Sequence, residues 1–109
     1  MNKVYKNNKV AVLYHPSFGV GWYSDHGIKE LLFDPYIISL VKSKNNLNNK
    51  QIYDEASIYL KNKYPDKNIF NLVDELEIEW IDINKRFFIR EYDGSETIYF
   101  EDEIDWINT

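Results

Sequence analysis

The dipeptide Asp93-Gly94 sits between two alternating runs, Phe87 to Tyr92 and Ser95 to Phe100, and it constrains this chain more than any other local feature. Asp-Gly is a preferred pair for a two-residue hairpin turn, because both central positions of a type I′ turn need positive φ. Such a turn sets Tyr92 opposite Ser95, and therefore Arg90 opposite Thr97, Ile89 opposite Ile98, Phe88 opposite Tyr99 and Phe87 opposite Phe100. Every apolar pair coincides, and a slip of one residue would send each side chain to the other face.

Upstream, Leu76, Ile78 and Trp80 alternate with Glu77 and Glu79, the pattern of a half-buried strand. A tight turn near Asn84-Lys85 would place Trp80 opposite Ile89 and Glu79 opposite Arg90. On that reading Leu76, Ile78, Trp80, Phe87, Ile89, Ile98 and Phe100 form one core face beneath the helices. Glu77, Glu79, Phe88, Arg90, Tyr92, Thr97 and Tyr99 form the open face.

The first part of the chain has different periods. Val10 to Tyr14 is a short apolar run and reads as a buried strand, with residues 1–8 a flexible lead-in. The strand ends at His15-Pro16, and Ser17 to Gly27, with Gly19, Gly21, Gly27 and several rings without a period, reads as a loop. Loops of this length are usually functional. Gly27 to Phe33 is expected to form a short helix. Asp34 caps a second helix with Pro35 at its first position. Asn48 or Asn49 caps a third that runs to Lys63, with Ile52, Ala56, Tyr59, Leu60 and Lys63 as its stripe. Ile69 to Val73 reads as a further strand. The fold class is α+β: an N-terminal strand, two or three helices, then a three- to four-stranded antiparallel meander packed on them, in a single domain of 109 residues.

Charge divides along the same line. Residues 1–73 carry 10 Lys against 6 acids, whereas residues 74–109 carry 3 basic residues against 12 acids, within a net charge of −5. A protein that coats nucleic acid needs a concentrated basic face, so nucleic acid is disfavoured as a partner. The chain has no cysteine, which removes thiolate chemistry and suits a reducing cytoplasm. No apolar run approaches the ~20 residues that span a bilayer.

Four constellations are candidates for function. The loop Tyr14, His15, Ser17, Gly19, Gly21 and Trp22 could contact a ligand or partner through backbone N–H groups, or its glycines could merely permit a tight path while Phe18 and Trp22 anchor it on the core. It lacks the third glycine of a dinucleotide fingerprint, since position 24 is Ser, and no Lys-Ser or Lys-Thr pair follows. His15 and His26, with Asp25, have no spacing that marks a metal or catalytic site. They read as surface imidazoles, and no catalytic residue, metal or cofactor is assigned. The open face with Glu79, Arg90, Tyr92 and Tyr99 carries the residue types that anchor interfaces. The tail Glu101 to Ile107, with four acids in its first five residues, reads as a solvated terminus.

Several stretches together resemble one family. They are Leu13-Tyr14-His15-Pro16-Ser17-Phe18-Gly19-Val20-Gly21-Trp22, Leu31-Leu32-Phe33-Asp34, Leu76-Glu77-Ile78-Glu79-Trp80, and the hairpin Phe87 to Ile98 with Glu91-Tyr92-Asp93-Gly94-Ser95-Glu96. They are similar to small proteins of roughly 100 residues encoded by bacteriophages and prophages, mostly without an assigned function. The similarity spans Val10 to Trp106. The family loop usually has a small residue between its glycines and Ser or Thr after the tryptophan, where this chain has Val20 and Tyr23. The resemblance implies a phage-type accessory protein in the host cytoplasm and no particular reaction. The leading expectation is a non-catalytic protein that binds a host protein, with counter-defence inhibition as one form of that role. The alternatives are a small-nucleotide sponge or nucleotide-acting enzyme using the glycine loop, and a structural subunit that forms homo-oligomers.

Overall fold

The run Val10 to Leu13 shows no polar alternation because both of its faces are covered. The structure, a computed structural model, describes residues 2–101. Strand β1 (Tyr5–Lys6) turns through Asn7-Asn8, both at positive φ (53° and 63°), into β2 (Lys9–Tyr14). That is the signature of a type I′ hairpin. Strand β3 (Glu77–Asp82) pairs antiparallel with the other edge of β2, giving a sheet ordered β1-β2-β3. Val10 lies opposite Ile81, Val12 opposite Glu79 and Leu13 opposite Ile78.

Among the described residues, three α-helices follow β2. The first, α1 (Tyr23–His26), ends at Gly27 with φ 67°, whose N–H donates to the Tyr23 carbonyl. The expected helix over Gly27 to Phe33 is therefore shorter: a left-handed residue interrupts it, and a 3₁₀ turn covers Lys29–Leu32. Helix α2 (Pro35–Lys42) starts as its sequence dictates. Asp34 Oδ1 accepts from the N–H groups of Tyr36 (2.9 Å) and Ile37 (3.1 Å). Helix α3 (Asn49–Lys63) has Asn48 and Gln51 as a reciprocal capping box. The segment read as a strand over Ile69 to Val73 has no regular structure until a 3₁₀ turn at Val73–Glu75. There Asn71 bonds the Tyr53 carbonyl, Ser57 Oγ and the Val73 N–H, so side-chain bonds replace a ladder.

Strands β4 (Phe87–Tyr92) and β5 (Ser95–Phe100) form the expected hairpin in the expected register. Asp93 and Gly94 have φ 49° and 87°. The α+β class stands, but the C-terminal strands do not share one sheet: β4 and β5 form a separate two-stranded sheet. The pairing of Glu79 with Arg90 is corrected accordingly, since Glu79 faces Val12 in β2. The Ile83 N–H continues the first sheet by bonding the Asn8 carbonyl (3.0 Å), and Asn84 at φ 72° then redirects the chain.

The result is a layered arrangement with β2 at its centre. Ala11 and Leu13 pack with Ile37, Ile38, Ile52, Ala56 and Leu60 on the helical side. Val10, Val12 and Ile81 pack with Leu32, Phe33 and the inner hairpin residues Phe87, Ile89, Ile98 and Phe100 on the other. The single core face expected beneath the helices is thus split between two clusters. Ile78 and Trp80 join the helical cluster and the hairpin residues join the second. Beyond Glu101, the acidic tail lies outside the described residues.

Candidate functional site

The glycine-bearing loop and the hairpin turn are two halves of one junction. His15 N–H donates to Glu96 Oε1 (2.9 Å), while Glu96 N–H donates to the His15 carbonyl (2.7 Å). Ser24 donates to Glu96 Oε2 through both its N–H (2.8 Å) and its hydroxyl (3.0 Å). Ser95 Oγ donates to the Pro16 carbonyl (2.8 Å), and Gly19 N–H to the Asp93 carbonyl (2.5 Å). Glu91 Oε1 accepts from Gly94 N–H at 2.6 Å, which holds the turn from within. Each link joins residues 15–24 to residues 91–96 or braces that end of the hairpin.

The glycines explain the fit. A Cβ on Gly94 would collide with the Gly19 backbone, and one on Gly21 would collide with Ser24 Oγ. Gly21 and Gly94 are there for close approach, and Gly94 also for its left-handed turn. The carboxylate of Glu96, 2% exposed, is the centre of the junction. A buried carboxylate is tolerable when its oxygens accept several hydrogen bonds, as they do here.

The two histidines are not the surface imidazoles the sequence suggested. His15 is 1% exposed. Its Nδ1 lies 3.0 Å from the Gly94 carbonyl, which can only accept, so Nδ1 carries a proton. Its Nε2 lies 3.2 Å from Glu75 Oε1. His26 Nδ1 accepts from the Ile28 N–H (2.8 Å), and its ring meets Trp22 edge-on with centroids 4.6 Å apart. Burial pushes His26 down to about 4, and the nearby charge of Asp25 opposes this only in part. The neutral ring therefore carries its proton on Nε2. Trp22 is fully buried and anchors the loop, whereas Phe18 is 71% exposed and does not.

The outer face of the hairpin holds a ring cluster. Phe88 and Tyr99 stack, with centroids 5.6 Å apart and planes 17° apart. The Arg90 guanidinium sits 5.3 Å from the Phe88 centroid and 5.6 Å from that of Tyr99. Cation–π contacts of this kind hold an arginine side chain over its rings. Tyr92, on the same face, is 74% exposed. The bond from Gly19 to Asp93 brings exposed Phe18 and Val20 to the same end of the hairpin.

Of the residues singled out in the sequence, His15, Gly19 and Gly21 belong to the junction, with Trp22 buried behind it. Arg90, Tyr92 and Tyr99 share the outer face. Ser17 is exposed on the loop. Tyr14 donates to Glu77 Oε2 (3.1 Å), and burial, reinforced by Glu77 and Glu79, raises its phenol above the ordinary value. Glu79 lies in the other sheet. Sequence reasoning missed Glu96, Ser24 and Glu75. Glu96 left a readable signal, because it shares strand phase with Ile98 and Phe100 and so points inward.

As an anion cradle the loop is poorly equipped. The N–H groups of His15, Gly19 and Ser24 are already engaged by oxygen acceptors, and the carboxylate of Glu96 lies among them. Among the described residues no cluster of three or more His, Asp or Glu could hold a metal ion. No described helix is long and apolar enough to cross a membrane. Comparison with protein-family models, curated proteins and solved structures finds no match for the chain.

Proposed function

We propose that the chain is a non-catalytic binding protein that occupies a protein partner through the outer hairpin face and its clamped turn. The observation that carries this reading is the Arg90–Phe88–Tyr99 cluster beside the exposed Tyr92. Tyr and Arg are enriched among the residues that dominate interface energetics, and the rings beneath Arg90 hold its long side chain in place. Clamping the turn to the loop lowers the ordering cost of binding. The resemblance to small phage accessory proteins supports a host protein as the target, in the host cytoplasm and in counter-defence.

Affinity capture from a host lysate, with the tagged chain as bait, tests the proposal. Arg90→Glu and Tyr92→Ala lie on exposed positions, and each is expected to weaken capture roughly thirtyfold, the weight of a 2 kcal/mol anchor. Circular dichroism should stay that of the folded chain. Capture at wild-type strength by both variants, or no specific partner, refutes it.

A further inference from the structure

Where the inner side of the hairpin meets the 3₁₀ turn after α1, a cleft of about 450 Å³ opens beside the second core cluster. Leu32 and Phe33 are buried in its wall, and Phe87 and Ile89 are half-buried beside them. Phe33 and Phe87 meet edge-on with centroids 6.3 Å apart. Tyr23, Phe88 and two exposed cations, Lys3 and Lys29, complete the lining, and Lys3 Nζ lies 4.7 Å from the Phe33 centroid. No acid lines the cleft, and among the described residues no carboxylate forms an ion pair with either lysine.

We propose that this cleft binds a small amphipathic anion, a hydrophobic body carrying one carboxylate. The volume lies within the range of small-molecule sites, which combine apolar walls with a few placed polar groups. A neutral hydrophobe would cover the apolar wall but draw two ammonium groups out of water without compensation. An inorganic anion would pair with the lysines but leave the wall wet. A carboxylate on an apolar chain satisfies both, because its head can reach Lys3 and Lys29 while its body lies against Leu32, Phe33, Phe87 and Ile89. The cleft adjoins the partner surface proposed above at Phe88, which lines both, but the two proposals rest on different observations.

Titration calorimetry of the full chain with decanoate, below its micelle concentration, tests the idea, with decanol as the uncharged control. Saturable binding of decanoate is expected, with NMR shifts centred on Phe33, Phe87 and Ile89 and weaker binding of decanol. Lys3→Glu and Lys29→Glu change exposed side chains and should each weaken decanoate about fivefold, the scale of a partly solvated charge pair. Decanol binding as tightly as decanoate, wild-type affinity in both variants, shifts centred elsewhere or no saturable binding would each overturn the proposal.

Discussion

His15 and Glu96, 81 positions apart, hold each other by two bonds: His15 N–H to the Glu96 carboxylate at 2.9 Å and Glu96 N–H to the His15 carbonyl at 2.7 Å. The pair extends the central strand β2 toward the second sheet at the point where the chain leaves the first. Removing the Glu96 side chain leaves the His15 and Ser24 amides without their acceptor. Each buried unsatisfied group costs about 1–3 kcal/mol. Glu96→Ala should therefore lose about 2–4 kcal/mol in urea unfolding. A loss below about 1 kcal/mol, the floor for a single such group, would mean that the junction is not what fixes the hairpin.

The glycines should separate by mechanism. Gly27 has φ 67° with nothing within 4 Å of where a methyl group would sit, so Gly27→Ala costs only the left-handed conformation, about 1–2 kcal/mol. Gly94→Ala adds a collision with the Gly19 backbone, which cannot swing aside as a flexible side chain would. Its expected loss is about 3 kcal/mol or more, in the range of overpacking on top of backbone strain. Equal losses in thermal melts of the two variants would refute the close approach.

His26 makes stability depend on pH in a definite direction. Its folded value of about 4 lies below the ordinary 6.5, so between these values the unfolded chain binds more protons. Stability should fall as pH drops through that window, and be fully present above it. Allowing for the solvent screening of a half-buried ring, the effect is of order 1–2 kcal/mol. His26→Asn keeps an oxygen to accept from Ile28 N–H and should flatten this part of the pH profile. A wild-type slope in the variant would assign the effect to other groups.

Asp34 joins two helices. One carboxylate oxygen caps α2, and the other accepts from Tyr59 (2.7 Å) and Lys63 (3.0 Å) on α3. Bonds to Tyr59 and Asp34 hold the Lys63 ammonium above its ordinary value, so its contribution is present below the unfolded lysine value and lost only as pH rises through the folded one. Asp34→Ala should cost about 3–4 kcal/mol, since it removes a cap and a buried carboxylate's bonds together. Lys63→Ala, on an exposed side chain, should cost about 1 kcal/mol or less. The reverse order in chemical unfolding would place the weight on the lysine.

What was legible in the sequence was local. Pro35 after Asp34 and Asp93-Gly94 between alternating runs each specify backbone geometry within a few residues, and both appear as read, while the cap of α3, left between Asn48 and Asn49, falls on Asn48. The open-face residues Phe88, Arg90 and Tyr99 followed from strand parity alone. Glu96 was readable for the same reason, as an acid in the inward phase.

The partner of β3 was not legible. Alternation in Leu76 to Trp80 says that one face is half-buried, but it is equally compatible with pairing to β2 or to β4. Only the tertiary structure decides, because strand choice depends on which edge remains open once β1 and the hairpin are placed. The same holds for the loop: Gly94 is an ordinary turn residue in sequence, and its need for close approach to Gly19 exists only when the two segments meet. By itself the sequence determined the α2 cap, the hairpin register and the inward phase of β4 and β5, since these arise from neighbours along the chain. The sheet partners, the division of the core and the clamp around Glu96 arise from residues 60 to 81 positions apart, whose meeting local periodicity does not encode.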